Sequence, residues 1–142
     1  MKKKEYKIKN ILGEEITVIP RMFLYSVKDF MGKPMTIPGI QLYWETDGAE
    51  EPFATLTKSF GEFIGAKNTA YIDTNNCDFA KQLLIYGFER NTGLTKNSGF
   101  CSYPLWVFDE SFLAEIGGEQ YQQYSKAFDD YMAAFEGVKS DE

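Results

Sequence analysis

Aromatic residues recur at helical spacing near the C-terminal end of the chain. Steps of three and four residues separate Tyr121, Tyr124, Phe128, Tyr131 and Phe135. On an α-helix this spacing places them, together with Met132, within an arc of about 100°, the width of a stripe that faces a core. The pattern predicts an amphipathic helix docked on a sheet, with the charged residues between them facing solvent.

The first thirty residues have the pattern of β-strands. Tyr6 and Ile8 alternate with lysines, which is typical of an edge strand protected by charge. Residues 16–25 are rich in β-branched and aromatic side chains and are apolar on both faces, which predicts a central strand. Proline cannot donate to a sheet ladder, so we expect a bulge or a kink at Pro20.

The next thirty residues predict a loop and then a hairpin. Pro34, Pro38 and Gly39 predict the loop. Residues 40–45 alternate between apolar and polar side chains, as a half-buried strand does. The acidic segment 47–52 predicts a turn, and residues 53–59 predict the returning strand.

From residue 60 onward, helices and strands are mixed. A short strand is expected over residues 70–73, followed by a helix with Asn75 or Asn76 as its N-cap and Gly87 at its end. Residues 91–99 are polar and predict a loop, and residues 100–108 predict a strand that Pro104 confines to an edge or divides. Asp109 is expected to cap a short helix that ends at glycines 117 and 118.

These elements predict an α+β fold, with a mainly antiparallel sheet of about five strands and the helices packed on one face. The chain has 142 residues, of which 44% are apolar, a size and composition that suit one ordinary domain. Residues 1–142 are therefore expected to form a single domain, with a flexible lysine-rich start over residues 1–4 and a flexible acidic tail over residues 137–142.

The residue types that are missing exclude several kinds of chemistry. The chain contains no histidine, which excludes Ser-His-Asp and Cys-His nucleophiles and histidine-ligated metal sites. Cys77 and Cys101 are too few and too far apart for a structural zinc or iron–sulfur site, so we expect reduced thiols, no metal and no cofactor. The apolar runs are too short to span a bilayer, which together with the thiols predicts a cytoplasmic protein without membrane contact.

Negative charge is concentrated in the last quarter of the chain. Residues 109–142 contain nine carboxylates and two lysines, a net charge of −7, whereas the rest of the chain has a net charge of +1. Nucleic-acid binding relies on lysine and arginine at phosphates, so direct binding to nucleic acid is not expected. The predicted last two helices would expose Glu119, Asp129, Asp130 and Glu136 together, a surface suited to a partner with a basic face. An acidic surface that only maintains solubility explains the same pattern.

Three other segments carry polar or aromatic residues of interest. Residues 73–78 form a polar cluster around Cys77, in which helix capping is favoured over a nucleophile because no histidine is available and two aspartates oppose a thiolate. Glutamates and an aspartate crowd residues 45–51 without a spacing that selects a catalytic pair. Tyr103 and Trp106 are candidate binding residues because such side chains supply large contact areas, although the pattern favours a strand in the core of the sheet.

Two stretches of the sequence resemble a known family. They are YIDTNNC at residues 71–77 and SGFCSYPL at residues 98–105, with Gly-Phe at 87–88 and Thr-Gly at 92–93 between them. Together they are similar to an uncharacterised bacterial family of short proteins, a domain of unknown function. The resemblance covers residues 40–109 and leaves the acidic C-terminal helices outside. It implies a setting on mobile elements, where small acidic proteins often inhibit host defence.

Three functions are compatible with the sequence. The first is a non-enzymatic acidic module that binds a protein with a basic surface, for example as an anti-defence factor. The second is a small-molecule or nucleotide binder with an aromatic-lined pocket, and the third is a small enzyme that relies on carboxylates. The sequence favours the first, and it does not predict an oligomeric state.

Overall fold

Two four-stranded antiparallel sheets form the body of the protein, in a computed structural model that describes residues 4–140 and side chains as far as Phe135. Residues 1–3, 141 and 142, which belong to the predicted flexible ends, lie outside this description, as do the side chains of residues 136–140. The first sheet has the order β1-β2-β3-β4. Its strands are β1 (Tyr6–Lys9), β2 (Glu15–Lys28), β3 (Pro34–Thr46) and β4 (Ala49–Thr55).

The second sheet follows directly from the first. It consists of β5 (Thr57–Lys58), β6 (Thr69–Ile72), β7 (Glu89–Ser98) and β8 (Cys101–Phe108), in the order β5-β6-β8-β7. Only Leu56 separates β4 from β5. Its N–H donates to the carbonyl of Ile40 in the first sheet, and its carbonyl accepts from the N–H of Asp73, which follows β6 of the second sheet. The segment from β4 to β5 thus belongs to both sheets and joins them at a fully buried leucine.

Three helices complete the fold. Helix α1 (Ala80–Leu83) continues into a 3₁₀ turn (Leu84–Tyr86) that ends at Gly87, as predicted. Helices α2 (Glu110–Gly117) and α3 (Glu119–Ser140) pack on the strands through Phe112, Leu113, Tyr121, Tyr124 and Phe128, which are all buried. The Tyr121 hydroxyl donates to the Asn68 side chain at 3.0 Å, and the Asn68 N–H donates to the Tyr124 hydroxyl at 2.9 Å, so the helix also fixes the turn before β6.

Side chains rather than a strand cover the free edge of β1. The Gln82 amide accepts from the Lys9 N–H at 2.7 Å and donates to the Lys9 carbonyl at 2.9 Å. The Tyr86 hydroxyl makes the same pair of bonds with the Lys7 N–H and carbonyl, at 2.7 and 3.0 Å. An uncovered edge would offer these groups to another chain, so α1 and its 3₁₀ turn protect the first sheet from edge pairing.

Three prolines of the first sheet lie inside strands without interrupting them. Pro20 pairs with Leu42 of β3 without a shift of register, two residues beyond Val18, where the described pairing of β2 with β1 ends. The predicted bulge there is therefore wrong; the irregularity in register occurs between Leu42 and Tyr43, where β3 meets β4. Pro34 and Pro38 belong to β3 rather than to the predicted loop, and they precede Gln41, where pairing with β4 begins.

Gly39 also lies in β3 and permits close packing of two rings. A Cβ atom at this position would lie 2.5 Å from the Phe23 ring and 2.7 Å from the Tyr25 ring. The two rings pack against each other at a centroid distance of 4.7 Å. Glycine is required here by space rather than by backbone conformation.

The α+β class and the antiparallel pairing predicted from the sequence are confirmed. The described residues form eight strands in two sheets, more than the five strands expected in one sheet. Residues 91–99 were expected to be a loop, but residues 89–98 form strand β7, which pairs with β8 along an exposed edge. The turn after β3 is also tighter than expected, because only Asp47 and Gly48, with φ of 53° and 80°, connect β3 to β4.

Candidate functional site

The predicted acidic surface of α3 is partly neutralised by neighbouring lysines. Asp129 accepts from Lys67 at 2.8 Å, and Asp130 accepts from Lys126 one helical turn away at 2.8 Å. Glu119 is exposed at the start of α3, and the Glu136 side chain lies outside the described residues. Two of the four predicted binding carboxylates are therefore paired within the chain, although both remain largely exposed at the surface.

The two aromatic candidates of β8 are buried. Trp106 is 1% exposed within the main core, and Tyr103 is 7% exposed. Tyr103 packs edge-on against Phe60 at a centroid distance of 5.2 Å. Neither side chain offers a partner a large surface, so the contact area predicted for them is used inside the protein.

The second half of α3 carries apolar side chains that the sheets do not cover. Tyr131 is half-buried, whereas Met132 and Phe135 are 37% and 46% exposed. The turn between β2 and β3 presents Phe30 and Met31, which are 82% and 79% exposed. We refer to Phe30, Met31, Met132 and Phe135 as the apolar end.

Asp29 and Tyr131 connect the two parts of the apolar end. The Tyr131 hydroxyl donates to the Asp29 carboxylate at 2.9 Å, and the Tyr131 ring lies 5.0 Å from that of Phe135. The other Asp29 oxygen accepts from the N–H groups of Met31 and Lys33, at 2.9 and 2.8 Å. These bonds fix the turn that carries Phe30 and Met31 against the helix, so the exposed side chains project from an ordered base.

A cavity of about 240 Å³ opens beside the segment that links β5 to β6. Apolar and aromatic side chains and one carboxylate line it: Ile37, Phe60, Glu62, Phe63, Ile64, Gly65 and Tyr71. Lys58 and Lys96 lie beside the lining residue Phe60, with their ammonium groups 5.8 and 5.2 Å from the centre of its ring. The combination of apolar and aromatic walls with a single carboxylate is typical of small-ligand sites, and the volume limits any occupant to a compact molecule.

A second cavity, of about 320 Å³, lies between β1, β4 and the turn before α1. Its walls include Ile8, Ile16, Phe53 and Phe79, with Lys9 and Asp78 among the polar residues. Ile11, in the turn between β1 and β2, also lines it and is 97% exposed. This opening is broader and more exposed than the first.

The polar cluster at residues 73–78 is a turn organised by Asp73 rather than an asparagine cap. The Asp73 carboxylate accepts from the Asn76 amide group at 2.8 Å and from the Asn76 N–H at 3.3 Å, and α1 begins four residues later without a side-chain cap. Burial, followed by the charges of Asp73 and Asp78, raises the pKa of Cys77 to about 11. The thiol therefore stays protonated at neutral pH and is a poor nucleophile, as the sequence indicated.

A buried carboxyl group that the sequence analysis missed lies at the start of β7. Glu89 is 4% exposed, and its Oε2 accepts from the Tyr6 hydroxyl at 2.8 Å. Burial raises the pKa of Glu89 to about 7, with a further contribution from Asp109, while the Tyr6 bond opposes the change. Its Oε1 has no hydrogen-bond partner among the described residues. The group is enclosed rather than placed in either cavity.

The acidic hairpin of β3 and β4 does not present a catalytic pair. Glu45 lies opposite Glu50 in the register, and Arg21 donates to both oxygens of Glu50 at 2.7 and 2.9 Å. Over the part of the chain that the structure describes, no three carboxylates or thiols lie close enough to hold a metal ion. None of the described helices is long and apolar enough to cross a membrane.

Comparison with known proteins identifies a family. Neither the curated proteins nor the solved structures contain a match to this chain. A family model matches residues 27–128, a wider range than the resemblance seen at residues 40–109, and it takes in α2 and the first half of α3. The chain belongs to the family described as Domain of unknown function (DUF4313).

Proposed function

We propose that the protein is a non-enzymatic module that binds another protein through its apolar end. The observation that carries this proposal is the exposure of four large apolar side chains on two elements that hydrogen bonds hold together. Contiguous apolar patches are uncommon on soluble monomers and mark interaction surfaces. Aromatic and methionine side chains are the types enriched at the centre of such surfaces.

Charge around the apolar end supports a partner with a basic rim. Asp129 and Asp130 precede the exposed part of α3 and remain 62% and 66% exposed despite their lysine partners. Exposed ion pairs contribute little energy and exchange readily, so both carboxylates are available to a partner's arginines or lysines. Such rim charges steer the encounter more than they add affinity.

The resemblance to mobile-element proteins extends the proposal to the identity of the partner. In that setting, the partner would be a host defence protein that the module inhibits. A basic, nucleic-acid-binding surface on that protein suits the acidic helix as well as the apolar end.

Paired substitutions in two turns test the apolar end. Partners captured from a bacterial lysate are identified, purified and titrated against the wild type, against F30S/M31S and against the control I11S/L12S. Ile11 and Leu12 are 97% and 78% exposed in the turn between β1 and β2, so the control removes as much surface apolarity elsewhere. F30S/M31S is expected to weaken binding by at least about tenfold, because truncating a hot-spot residue at the centre of an interface costs about 2 kcal/mol or more. Equal affinity of F30S/M31S and the wild type for every captured partner contradicts the proposal.

A charge-reversal variant separates the contribution of the acidic helix. D129K/D130K is expected to lower the association rate and its salt dependence, with a smaller change in the dissociation rate. Loss of binding in D129K/D130K together with full binding by F30S/M31S would place the contact on the acidic face instead.

Small-ligand binding is a second candidate function. It is favoured by the cavity beside Phe60, whose volume of about 240 Å³ suits a compact ligand and whose walls include three aromatic rings.

A further inference from the structure

Two lysines from distant parts of the chain converge beside Phe60, which lines the cavity of about 240 Å³, here called the Phe60 cavity. Lys58 is opposite Tyr71 in the register of β5 and β6, and Lys96 is opposite Tyr103 in that of β7 and β8. Because side chains alternate between the two faces of a sheet, the β6–β8 pairing of Tyr71 with Leu105 places all of these on one face. The register of three strand pairs thus assembles a basic and aromatic surface that no local sequence motif encodes.

Phe60 lies at the centre of this surface. Its ring packs edge-on against Tyr71 at 5.6 Å and against Tyr103 at 5.2 Å. The Lys58 ammonium group is 5.8 Å from the centres of both the Phe60 and the Tyr103 rings. Because Phe60 also lines the cavity, both ammonium groups lie within 6 Å of the centre of a ring that forms its wall.

The two lysines differ in how they are paired. Lys96 pairs with Glu62 at 3.2 Å, whereas no carboxylate among the described residues lies within 4.0 Å of the Lys58 ammonium. Glu62 is the one carboxylate in the cavity lining. Lys58 therefore carries a positive charge beside Phe60 that forms no ion pair with a described carboxylate, on a protein whose formal net charge is −6.

The half-buried position of Lys58 strengthens its attraction for an anion. Its ammonium group lies near the rings of Phe60 and Tyr103, where the effective dielectric constant is lower than in bulk water and a nearby opposite charge is attracted more strongly. The cavity itself offers Ile37, Ile64 and the rings of Phe60, Phe63 and Tyr71, which favour a flat apolar body.

We propose that this cavity binds a planar aromatic ligand carrying an anionic group, with the ring beside Phe60 and Tyr71 and the anion at Lys58. This inference rests on the second candidate function, ligand binding, and is independent of the apolar end. Aromatic carboxylates, sulfonates and phosphates share the required chemistry.

Three probes with the same ring and different charges test the proposal. Naphthalene-1-sulfonate, 1-naphthalenemethanol and 1-naphthylmethylamine are titrated by calorimetry, and amide shifts of Gly61 and Gly65 report the site. The sulfonate is expected to bind at least about tenfold more tightly than the alcohol, and the amine more weakly than either, since about 1.4 kcal/mol of charge attraction corresponds to tenfold.

Variants of Lys58 separate charge from shape. K58Q is expected to remove the preference for the sulfonate, K58R to keep it, and K7Q, a strand lysine of the other sheet, to change nothing. Equal affinities for the three probes, or an unchanged preference in K58Q, would overturn the anionic ligand class while leaving ligand binding in place. Absence of saturable binding for all three probes would overturn both.

Discussion

Replacing Glu89 by glutamine is expected to change the free energy of unfolding, relative to the wild type, more favourably at pH 8 than at pH 5. Glu89 is buried at the start of β7, and its carboxyl group accepts one bond from Tyr6 while its other oxygen has no partner among the described residues. The rings of Phe88 and Phe112 stack at a centroid distance of 4.8 Å beside Tyr6. These apolar neighbours do not solvate a negative charge on Glu89. Glutamine imitates the neutral carboxyl group, because its oxygen also accepts from the Tyr6 hydroxyl.

The magnitude follows from the change in pKa. Burial raises the pKa of Glu89 from 4.5 to about 7, so the native state holds its proton over a range of pH where the unfolded chain has released it. The stability that the neutral form provides is complete below pH 4.5 and is lost as the pH rises through 7. A difference of about 2.5 pKa units corresponds to about 3 kcal/mol at pH 8, because one unit is worth about 1.4 kcal/mol.

Urea denaturation at pH 5 and pH 8 measures the effect. The difference in unfolding free energy between E89Q and the wild type cancels the titration of the other groups, and E51Q, at an exposed position in β4, is the control. Burying the glutamine amide changes the free energy of unfolding by an amount that does not depend on pH. The informative quantity is therefore how the difference in unfolding free energy between E89Q and the wild type changes from pH 5 to pH 8. A difference that is the same at pH 5 and pH 8, as expected for E51Q, would refute the inference of a neutral buried carboxyl group.

Two further predictions concern packing and thiol chemistry. G39A is expected to destabilise the protein by about 1–3 kcal/mol in thermal denaturation, because the Phe23 and Tyr25 rings must move away from a Cβ atom placed 2.5–2.7 Å from them. The control G65A, with open space around its Cβ, should change stability little in the same assay. Cys77 is expected to resist iodoacetamide at pH 8 in the native state and to react in urea, because burial raises its pKa to about 11. Mass spectrometry measures the rate of modification. If native Cys77 were modified as fast as Cys77 in the unfolded chain, the prediction would be wrong.

Helix α3 illustrates what periodicity predicts and where it stops. Tyr121, Tyr124 and Phe128 are buried as the spacing predicted, but Tyr131 is half-buried and Phe135 is 46% exposed. A pattern of apolar residues identifies the face of a helix, not the extent of the surface beneath it. The second half of the stripe therefore became part of the apolar end, a role that the sequence alone did not distinguish from core packing.

Strand β7 was missed because it lacks the usual alternation. Nine of its ten residues are exposed or half-exposed and the one buried residue is Glu89, so no apolar side chain marks an inward face. Its conformation depends on pairing with β8, and that pairing places Lys96 opposite Tyr103. The pairing of strands also explains why the surroundings of the Phe60 cavity could not be predicted, because only strand register brings Lys58 and Lys96 together.

Asp73 and Glu89 show two further limits of local patterns. The polar string around Asp73 predicted an asparagine cap, but α1 begins at Ala80 without a side-chain cap, and Asp73 instead accepts bonds from Asn76 in the preceding turn. Glu89 lies between Phe88 and Arg90 in the sequence, where a glutamate is usually solvated. Its burial depends on Tyr6, 83 positions earlier, and no local signal indicates that contact.

The side chains that cover the edge of β1 have a consequence during synthesis of the chain. Gln82 follows Lys9 by 73 positions, so the ribosome completes β1 well before the residue that closes its edge exists. At about 5–20 residues per second, this interval lasts roughly 4–15 s. Over that time neighbouring nascent chains on one messenger RNA present identical uncovered strands to one another. The lysines that alternate with Tyr6 and Ile8 therefore act earliest, repelling like strands until Gln82 and Tyr86 arrive.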